Sequence, residues 1–253
     1  MTTTADTTPS HLPISSSAPS SSTDQPISPS REPISPSHLA NSPSREPISP
    51  SHLTISPSIL YFGTPVVLLT TENPDGSDNL APISSAWALG HTLVLGIGAE
   101  SRTAANLAER PELAVSLPSP HQWAAVERLA PLTGAHPVPD AKRAVYRHEP
   151  DKFGAAGLSR MPSHVVRPAR VAECPLHLEA RVRTLRSAGP EGHFRIAECE
   201  VVRVHADSTI VVPGTDHIDP SRWSPLLYNF RHYFGLGPEL GHGFRSETAT
   251  RRN

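Results

Sequence analysis

The sequence is short of cysteine, of net charge and of long apolar runs, and each shortage excludes a class of protein. Two cysteines, Cys174 and Cys199, are too few for a disulfide framework and lack the spacing of metal ligands, which predicts two buried thiols. The net charge of −2 provides no basic field, so we expect no nucleic acid as a partner. No run approaches the ~20 apolar residues of a membrane span, and no secretory signal is recognisable. We therefore expect a cytoplasmic protein with no membrane partner.

Residues 1–58 contain no aromatic residue and few large apolar ones. Residues 28–41 recur almost unchanged as residues 42–55, and each 14-residue unit is rich in serine and proline. Such a composition cannot bury enough surface to offset the entropy of ordering. We predict a disordered tail over residues 1–58, with phosphorylation of its Ser-Pro sites or partner binding as the functional alternative. The repeat also raises the question of whether the start codon is correct.

The clearest secondary-structure pattern lies between residues 61 and 119. Residues 66–71 are apolar and β-branched, as a buried strand requires, and residues 73–76 (Asn-Pro-Asp-Gly) have strong turn chemistry. Strands are predicted to follow at 79–86 and 93–97. Residues 102–110 have helical composition, and the next residue is a proline that ends the helix.

In the rest of the domain, helices and strands are predicted to follow one another in a less regular order. Helices are predicted at 121–130, at 140–149 and within 219–234. Strands are predicted at 174–185, 194–206 and 210–212. In the first of these strands Leu176, Leu178, Ala180 and Val182 alternate with His177, Glu179, Arg181 and Arg183, which predicts one face in water. Strands in a run, with helices inserted between them, favour an antiparallel barrel over a doubly wound parallel sheet.

Gly96 and Gly98 follow a predicted strand and precede a helix, as the glycines of a dinucleotide-binding fold do. Ser101 stands where the third glycine should be, and no regular βαβ series surrounds the motif. We predict instead that the glycines let the strand pass close to a flat or bulky group.

Small hydroxyl residues occur at two places that could form one site. Ser84 and Ser85 have a plain interpretation as strand serines on a wet face, and Ser101 has one as a helix cap. Taken together with Arg102 and Thr103 at the same helix start, they predict an anion site, because free N–H groups and a guanidinium favour a phosphate. Residues 216–219 (Asp-His-Ile-Asp) have too few converging ligands to predict a metal.

Residues 59–240 resemble the flavin reductase-like family, whose fold is the FMN-binding split barrel. The resemblance is carried by residues 64–71, 75–76, 79–85, 101–107, 173–175 and 225–237. One departure is Gly90-His91-Thr92, which stands where many relatives carry an Asp-Pro-Pro turn. The resemblance implies a mainly β domain, an antiparallel split β-barrel of Greek-key type with inserted peripheral helices. Residues 241–253 would then be a flexible C-terminal tail.

The resemblance also implies a function. It implies a flavin-binding oxidoreductase that transfers hydride from NAD(P)H to FMN, with FAD as the other candidate flavin. It implies a homodimer, with a monooxygenase as a candidate partner that receives the reduced flavin. Two alternatives stay open, namely an FMN-binding electron carrier or sensor without turnover, and a degenerate barrel that serves as an interaction module for the tail.

The residues that the resemblance assigns to the flavin fall into two groups. Residues 79–86 would lie along the ring and the ribityl chain, and Ser101, Arg102, Thr103 and Asn106 would hold the phosphate. The predicted site residues are Thr71, Asn79, Pro82, Ile83, Ser84, Ser85, Ser101, Arg102, Thr103 and Asn106.

Overall fold

The computed structural model describes residues 51–244. The description below concerns residues 56–244, the described part of the second of two units into which the chain divides. The predicted tail over residues 1–58 and the predicted C-terminal tail over residues 241–253 lie largely outside the described residues.

The domain is mainly β, with short helices between its strands. Up to the third helix its strands are β1 (Phe62–Pro65), β2 (Val67–Glu72), β3 (Asp78–Ile83), β4 (Ala86–Leu89), β5 (Thr92–Gly98), β6 (Glu112–Leu117), β7 (Leu132–Thr133) and β8 (Arg147–His148). After it come β9 (Arg160–Met161), β10 (Arg170–Val171), β11 (Leu176–Ala188), β12 (Phe194–Ala206), β13 (Leu227–Asn229) and β14 (His232–Phe234). The α-helices are α1 (Arg102–Glu109), α2 (Trp123–Leu129) and α3 (Lys152–Ala156).

Seven strands form one antiparallel sheet in the order β3-β2-β6-β11-β12-β5-β4. Its two edge strands, β3 and β4, are joined in sequence by Ser84 and Ser85 alone. Three Cα–Cα steps span at most ~11 Å, whereas six strand spacings in a flat sheet would separate the edges by about 29 Å. The sheet therefore curls and brings its edges together at these serines, which is the curvature that a barrel needs. The predicted fold class, antiparallel and mainly β with peripheral helices, is confirmed.

Two apolar clusters lie on opposite faces of β2. Leu69 belongs to the cluster that includes Leu95 on β5, and Leu68 belongs to the cluster that includes Leu129 on α2. Because β2 is buried on both faces, its sequence is a continuous apolar run rather than an alternating one. Both cysteines are free and buried, as predicted.

Two predicted helices are wrong. Only Asp140–Lys142 forms a short 3₁₀ helix in the first, because the backbone N–H groups of Arg147 and Glu149 instead bond the carbonyls of Pro131 and Thr133. The second segment ends in the β13–β14 hairpin, whose two-residue turn has positive φ at Phe230 and Arg231. Asp219 accepts from the N–H of Ser221 and caps only a turn there.

Two strand predictions also need correction. Residues 210–212 do not form a strand: Ile210 ends a 3₁₀ helix, and Val211 makes only an isolated bridge to Ile218. In β11 the predicted wet face is wrong at His177 and Glu179, which are both buried. The loop over residues 162–168 covers this face, and its backbone N–H groups donate to Glu179. The alternation of polar and apolar residues within a strand cannot predict that a distant loop packs on it.

Candidate functional site

A cavity of about 640 Å³ lies where the sheet edges meet. Its wall on the β3–β4 side contains four of the predicted residues, Pro82, Ile83, Ser84 and Ser85. The other walls include Gly96 to Gly98 of β5 and four tyrosines, Tyr61, Tyr146, Tyr228 and Tyr233. We call this space the ring cavity. Its lining of tyrosines, glycines and aliphatic side chains suits a flat aromatic ligand.

Gly96 explains how the serines reach the ring cavity. Its N–H donates to the carbonyl of Ser85 at 2.7 Å, and a Cβ at position 96 would lie 2.9 Å from the Cβ of Ser85. The sequence predicted a close approach to a flat or bulky group; the close approach at Gly96 is to Ser85, a small side chain on the loop between β3 and β4.

A second cavity of about 270 Å³ shares Pro82, Ile83 and Gly98 with the ring cavity. It lies at the start of α1, where Ser101 is the N-cap and its Oγ accepts from the N–H of Ala104 at 3.0 Å. We call it the phosphate cavity. A Cβ at Gly98 would meet only Lys142 Nζ, at 3.9 Å, so this glycine leaves the passage between the two cavities open.

The lining of the phosphate cavity is strongly cationic. Among the described residues that line it, Arg102, Lys142 and Lys152 are basic and none carries a carboxylate. Lys152 is only 4% exposed, and burial, reinforced by the nearby charge of Arg102, lowers its pKa to about 8. Three basic side chains with no acid among the lining residues have the charge that favours an anion.

A buried polar network supports this cavity from behind. Asn79 Nδ2 donates to Thr71 Oγ1 at 3.2 Å and to Thr103 Oγ1 at 3.1 Å. Asn106 Nδ2 donates to the same Thr71 oxygen at 3.1 Å, and Lys152 Nζ donates to Asn79 Oδ1 at 3.1 Å. The network fixes β2, β3, α1 and α3 to one another, and it sets the position of the lysine.

The structure thus brings the predicted residues to three connected places. Pro82, Ile83, Ser84 and Ser85 line the ring cavity, and Asn79, Ser101, Arg102 and Thr103 line the phosphate cavity. Thr71 and Asn106 are fully buried behind them and line neither cavity.

Sequence reasoning missed the two lysines and the four tyrosines. A signal for the lysines was present, because only two of the 22 basic residues of the chain are lysine and both line this cavity. The tyrosines have the same compositional signal, because all four of the chain line the ring cavity. Their local context hid them: Tyr61 precedes β1, and the other three lie in the two segments that were wrongly predicted as helices.

Two further searches of the described residues gave negative results. No group of three or more His, Cys, Asp or Glu side chains within residues 51–244 is arranged to hold a metal ion. In the same range, every helix is too short or too polar to cross a membrane.

Comparison with known proteins identifies the family. Residues 59–237 match the family model described as the flavin reductase like domain, so the chain belongs to the flavin reductase-like family. It is 44% identical over 191 residues to the uncharacterized protein YdfE of Bacillus subtilis (strain 168), a match that covers 75% of this chain and 92% of YdfE.

Two solved structures show the same fold. Flavoredoxin of Desulfovibrio vulgaris (Miyazaki F) superposes with a TM-score of 0.61 at 19% identity, covering 78% of this chain and 100% of that one. Nitrilotriacetate monooxygenase component B from Bacillus cereus gives a TM-score of 0.61 at 19% identity, with 77% and 100% coverage. At such identities the likeness concerns the fold alone.

Proposed function

We propose that this protein transfers a hydride from NAD(P)H to FMN. Membership of the flavin reductase-like family supports an oxidoreductase with a flavin as cofactor or substrate. The observation that carries the finer proposal is the pair of connected cavities: one is lined by tyrosines and aliphatic residues, and the next contains three cations. A cavity lined by tyrosines and aliphatic residues beside a cationic cavity matches the chemistry of a flat ring system joined to a phosphate.

Within the phosphate cavity, Arg102 and Lys152 supply positive charge for the phosphate, and Ser101 and Thr103 supply hydroxyl groups. The start of α1 adds the partial positive charge of its backbone N–H groups. Asn79 bonds both Thr103 and Lys152 and so positions two of these groups at once. A ligand without a phosphate gains none of these interactions.

In the ring cavity, Pro82 and Ile83 provide an apolar wall, and Ser84 and Ser85 provide polar atoms at its edge. A bound flavin would supply the redox chemistry by accepting the hydride of the nicotinamide. The protein has only to hold two rings against each other and to exclude water, so an acid–base pair is not required. The volume of about 640 Å³ leaves room for both rings.

The proposal is tested by titrating the full chain with FMN and riboflavin, followed by NADH and NADPH oxidation with FMN in excess. We expect FMN to bind more tightly than riboflavin, and each protein molecule to oxidise many equivalents of one coenzyme. Bound FMN with oxidation of at most one equivalent would instead indicate the electron carrier or sensor. Binding of neither flavin would refute the proposal.

A reductase that releases its product needs an acceptor, and we propose a monooxygenase as the partner that receives the reduced flavin. The similar fold of nitrilotriacetate monooxygenase component B supports this choice. If the protein releases reduced FMN into solution, a flavin-dependent monooxygenase added to the assay should oxidise its substrate. It should do so without binding to this protein.

We also propose that the active unit is a homodimer. The described surface exposes large apolar side chains on β1, β4 and β14, namely Phe62, Trp87, Leu89 and Phe234. Exposed large apolar side chains on several strands are a common feature of subunit interfaces. Sedimentation at micromolar concentration should show a dimer, and a monomer that still binds FMN at full occupancy would contradict it.

A further inference from the structure

Lys152 is a buried amine in the wall of the phosphate cavity, and the proposed hydride transfer gives its nitrogen no covalent role. The residue is 4% exposed, and its Nζ donates to Asn79 Oδ1 at 3.1 Å. That bond holds the amine in one place beside the cavity. Because an amide oxygen has no formal charge, the bond does not neutralise the lysine.

The two acidic residues that precede Lys152 in sequence are bound to other groups. Asp151 Oδ1 accepts from the N–H of Gly154 at 3.2 Å and from Arg160 Nη2 at 3.0 Å. Glu149 Oε1 accepts from the N–H of Asp151 at 3.0 Å. Both carboxylates are therefore engaged in the local fold, and neither residue lines the phosphate cavity.

Arg102 lies close to the same amine. Its Nε donates to the carbonyl of Gly134 at 3.1 Å, which fixes the guanidinium in the cavity wall. A Cβ at Gly134 would clash with Asn79 Oδ1 and would lie 3.2 Å from Arg102 Cγ, so the oxygen that bonds Lys152 is next to the arginine side chain. The cavity thus places an anchor for a phosphate beside a primary amine.

This amine has the protonation state that a nucleophile needs. Burial, reinforced by the charge of Arg102 and opposed by that of Glu149, lowers the pKa of Lys152 to about 8. At pH 7 roughly a tenth of the side chain is then neutral, on the order of a hundredfold more than for a lysine of ordinary pKa. Only the neutral amine has the lone pair that attacks a carbonyl carbon.

We propose that the phosphate cavity binds an acyl phosphate and that Lys152 takes its acyl group, which makes this lysine a modification site that controls flavin binding. An acyl phosphate carries its carbonyl carbon one oxygen away from the phosphate. Anchoring the phosphate at Arg102 therefore presents that carbon to the amine, in a cavity of about 270 Å³ that suits a small molecule.

The reaction is a group transfer without a redox change. Nζ of Lys152 forms a bond to the carbonyl carbon, and the bond from that carbon to the bridging oxygen breaks. Inorganic phosphate leaves with the electron pair, the nitrogen loses one proton to water, and an uncharged amide remains. Acylation thereby removes one positive charge from the cavity. The control of flavin binding rests on the proposed function, whereas the acylation itself does not.

The first experiment treats the full chain near pH 7 with acetyl phosphate or with acetic anhydride and maps acetylated lysines by mass spectrometry. Lys142, the other lysine of the chain, lines the same cavity and is the matched control. Acetyl phosphate should modify Lys152 at least about tenfold faster than Lys142, and inorganic phosphate should slow the reaction at Lys152. Arg102→Ala should slow acetyl phosphate more than acetic anhydride, because the anhydride has no phosphate to anchor.

The second experiment measures flavin binding after acetylation. Acetylated protein should bind FMN roughly ten- to a hundredfold more weakly, since one charge-assisted hydrogen bond is lost, and riboflavin should bind as before. Lys152→Arg keeps the charge but has no amine to acylate. Treatment of that variant with acetyl phosphate should leave its FMN affinity unchanged, although Lys142 is still available for modification.

The possible results separate this inference from the proposed function. Equal rates at the two lysines, or a rate at Lys152 that inorganic phosphate does not slow, would overturn the inference, and the proposed function would stand if FMN binds. Acetylation of Lys152 with no change in FMN affinity would overturn the control of flavin binding. If the untreated protein binds neither flavin, the proposed function fails, and protection by inorganic phosphate still decides whether the cavity directs acylation.

Discussion

Lys152 and Asn79 are joined by a buried hydrogen bond of 3.1 Å between Nζ and Oδ1, although 73 positions separate them in sequence. The contact attaches the first residue of α3 to the second residue of β3, at the wall of the phosphate cavity. Lysine is rarely buried without a carboxylate partner, because the charged form loses its hydration. Here the proposed flavin phosphate would serve as that partner.

The first prediction concerns the pH dependence of FMN binding. The pKa of Lys152 is lowered to about 8, so above that pH the free site loses a proton that the phosphate complex requires. The affinity for FMN should be constant below pH 8 and should then fall by up to about tenfold per pH unit. The phosphate itself stays dianionic over this range, since its second pKa is about 6.

Titration with FMN and riboflavin between pH 7 and pH 9.5 measures this effect. Riboflavin binding should not follow the titration of the lysine, and Lys152→Met should abolish the decline for FMN. Lys142→Met, which removes the other lysine of the cavity, should keep the decline. A wild-type FMN affinity that stays flat through pH 9.5 would show that Lys152 does not bind the phosphate.

The second prediction separates the phosphate from the ring. A charge-assisted hydrogen bond contributes roughly 1.5–3 kcal/mol, so Arg102→Ala should weaken FMN binding by about ten- to a hundredfold. Riboflavin should bind the variant and the wild type equally, because it has no phosphate. Arg183→Ala, at an exposed ion pair on β11 that lines neither cavity, is the control and should leave both flavins unaffected. If FMN and riboflavin weaken in parallel, Arg102 supports the fold or the ring cavity instead.

The sequence predicted those parts of the fold and the site that depend on neighbouring residues. The apolar run of β2 and the Ser101 cap of α1 are local features, and the structure has both. The β13–β14 hairpin was missed because Phe230 and Arg231 carry its positive φ values, where glycine or asparagine would have been the usual signal. No local pattern could place Lys152 beside Asn79, since that contact depends on tertiary packing.

The third prediction concerns residues 1–58. Their composition offers little surface to bury, so a protein that starts at residue 59 should keep the thermal midpoint and the FMN affinity of the full chain. A protein that starts at residue 66 lacks β1 and Tyr61, and it should lose both stability and ring binding. A loss of more than about 1 kcal/mol in the shorter deletion would mean that residues 1–58 make a packing contact.

The last prediction follows from the burial of Glu179. Its carboxylate accepts from the N–H groups of His164 at 2.8 Å, Val165 at 2.6 Å and Val166 at 3.1 Å, and His205 Nε2 lies 2.6 Å from Oε1. Burial opposes ionisation, but these donors outweigh it and lower the pKa of Glu179 from 4.5 to about 2. The ionised carboxylate therefore holds the loop over residues 162–168 against β11.

Glu179→Gln should lower the free energy of unfolding by roughly 2–4 kcal/mol at pH 7, because the amide leaves some of these donors poorly matched. A depressed carboxyl pKa contributes stability above the unfolded pKa of 4.5, and that contribution is lost as the pH falls toward about 2. The difference between wild type and variant should therefore shrink between pH 5 and pH 2 in urea unfolding. Glu200→Gln, at an exposed ion pair with Arg183, should cost less than about 1 kcal/mol at any pH. A Glu179→Gln penalty that is equally small, or that is the same at pH 2 as at pH 7, would show that the carboxylate does not hold the loop.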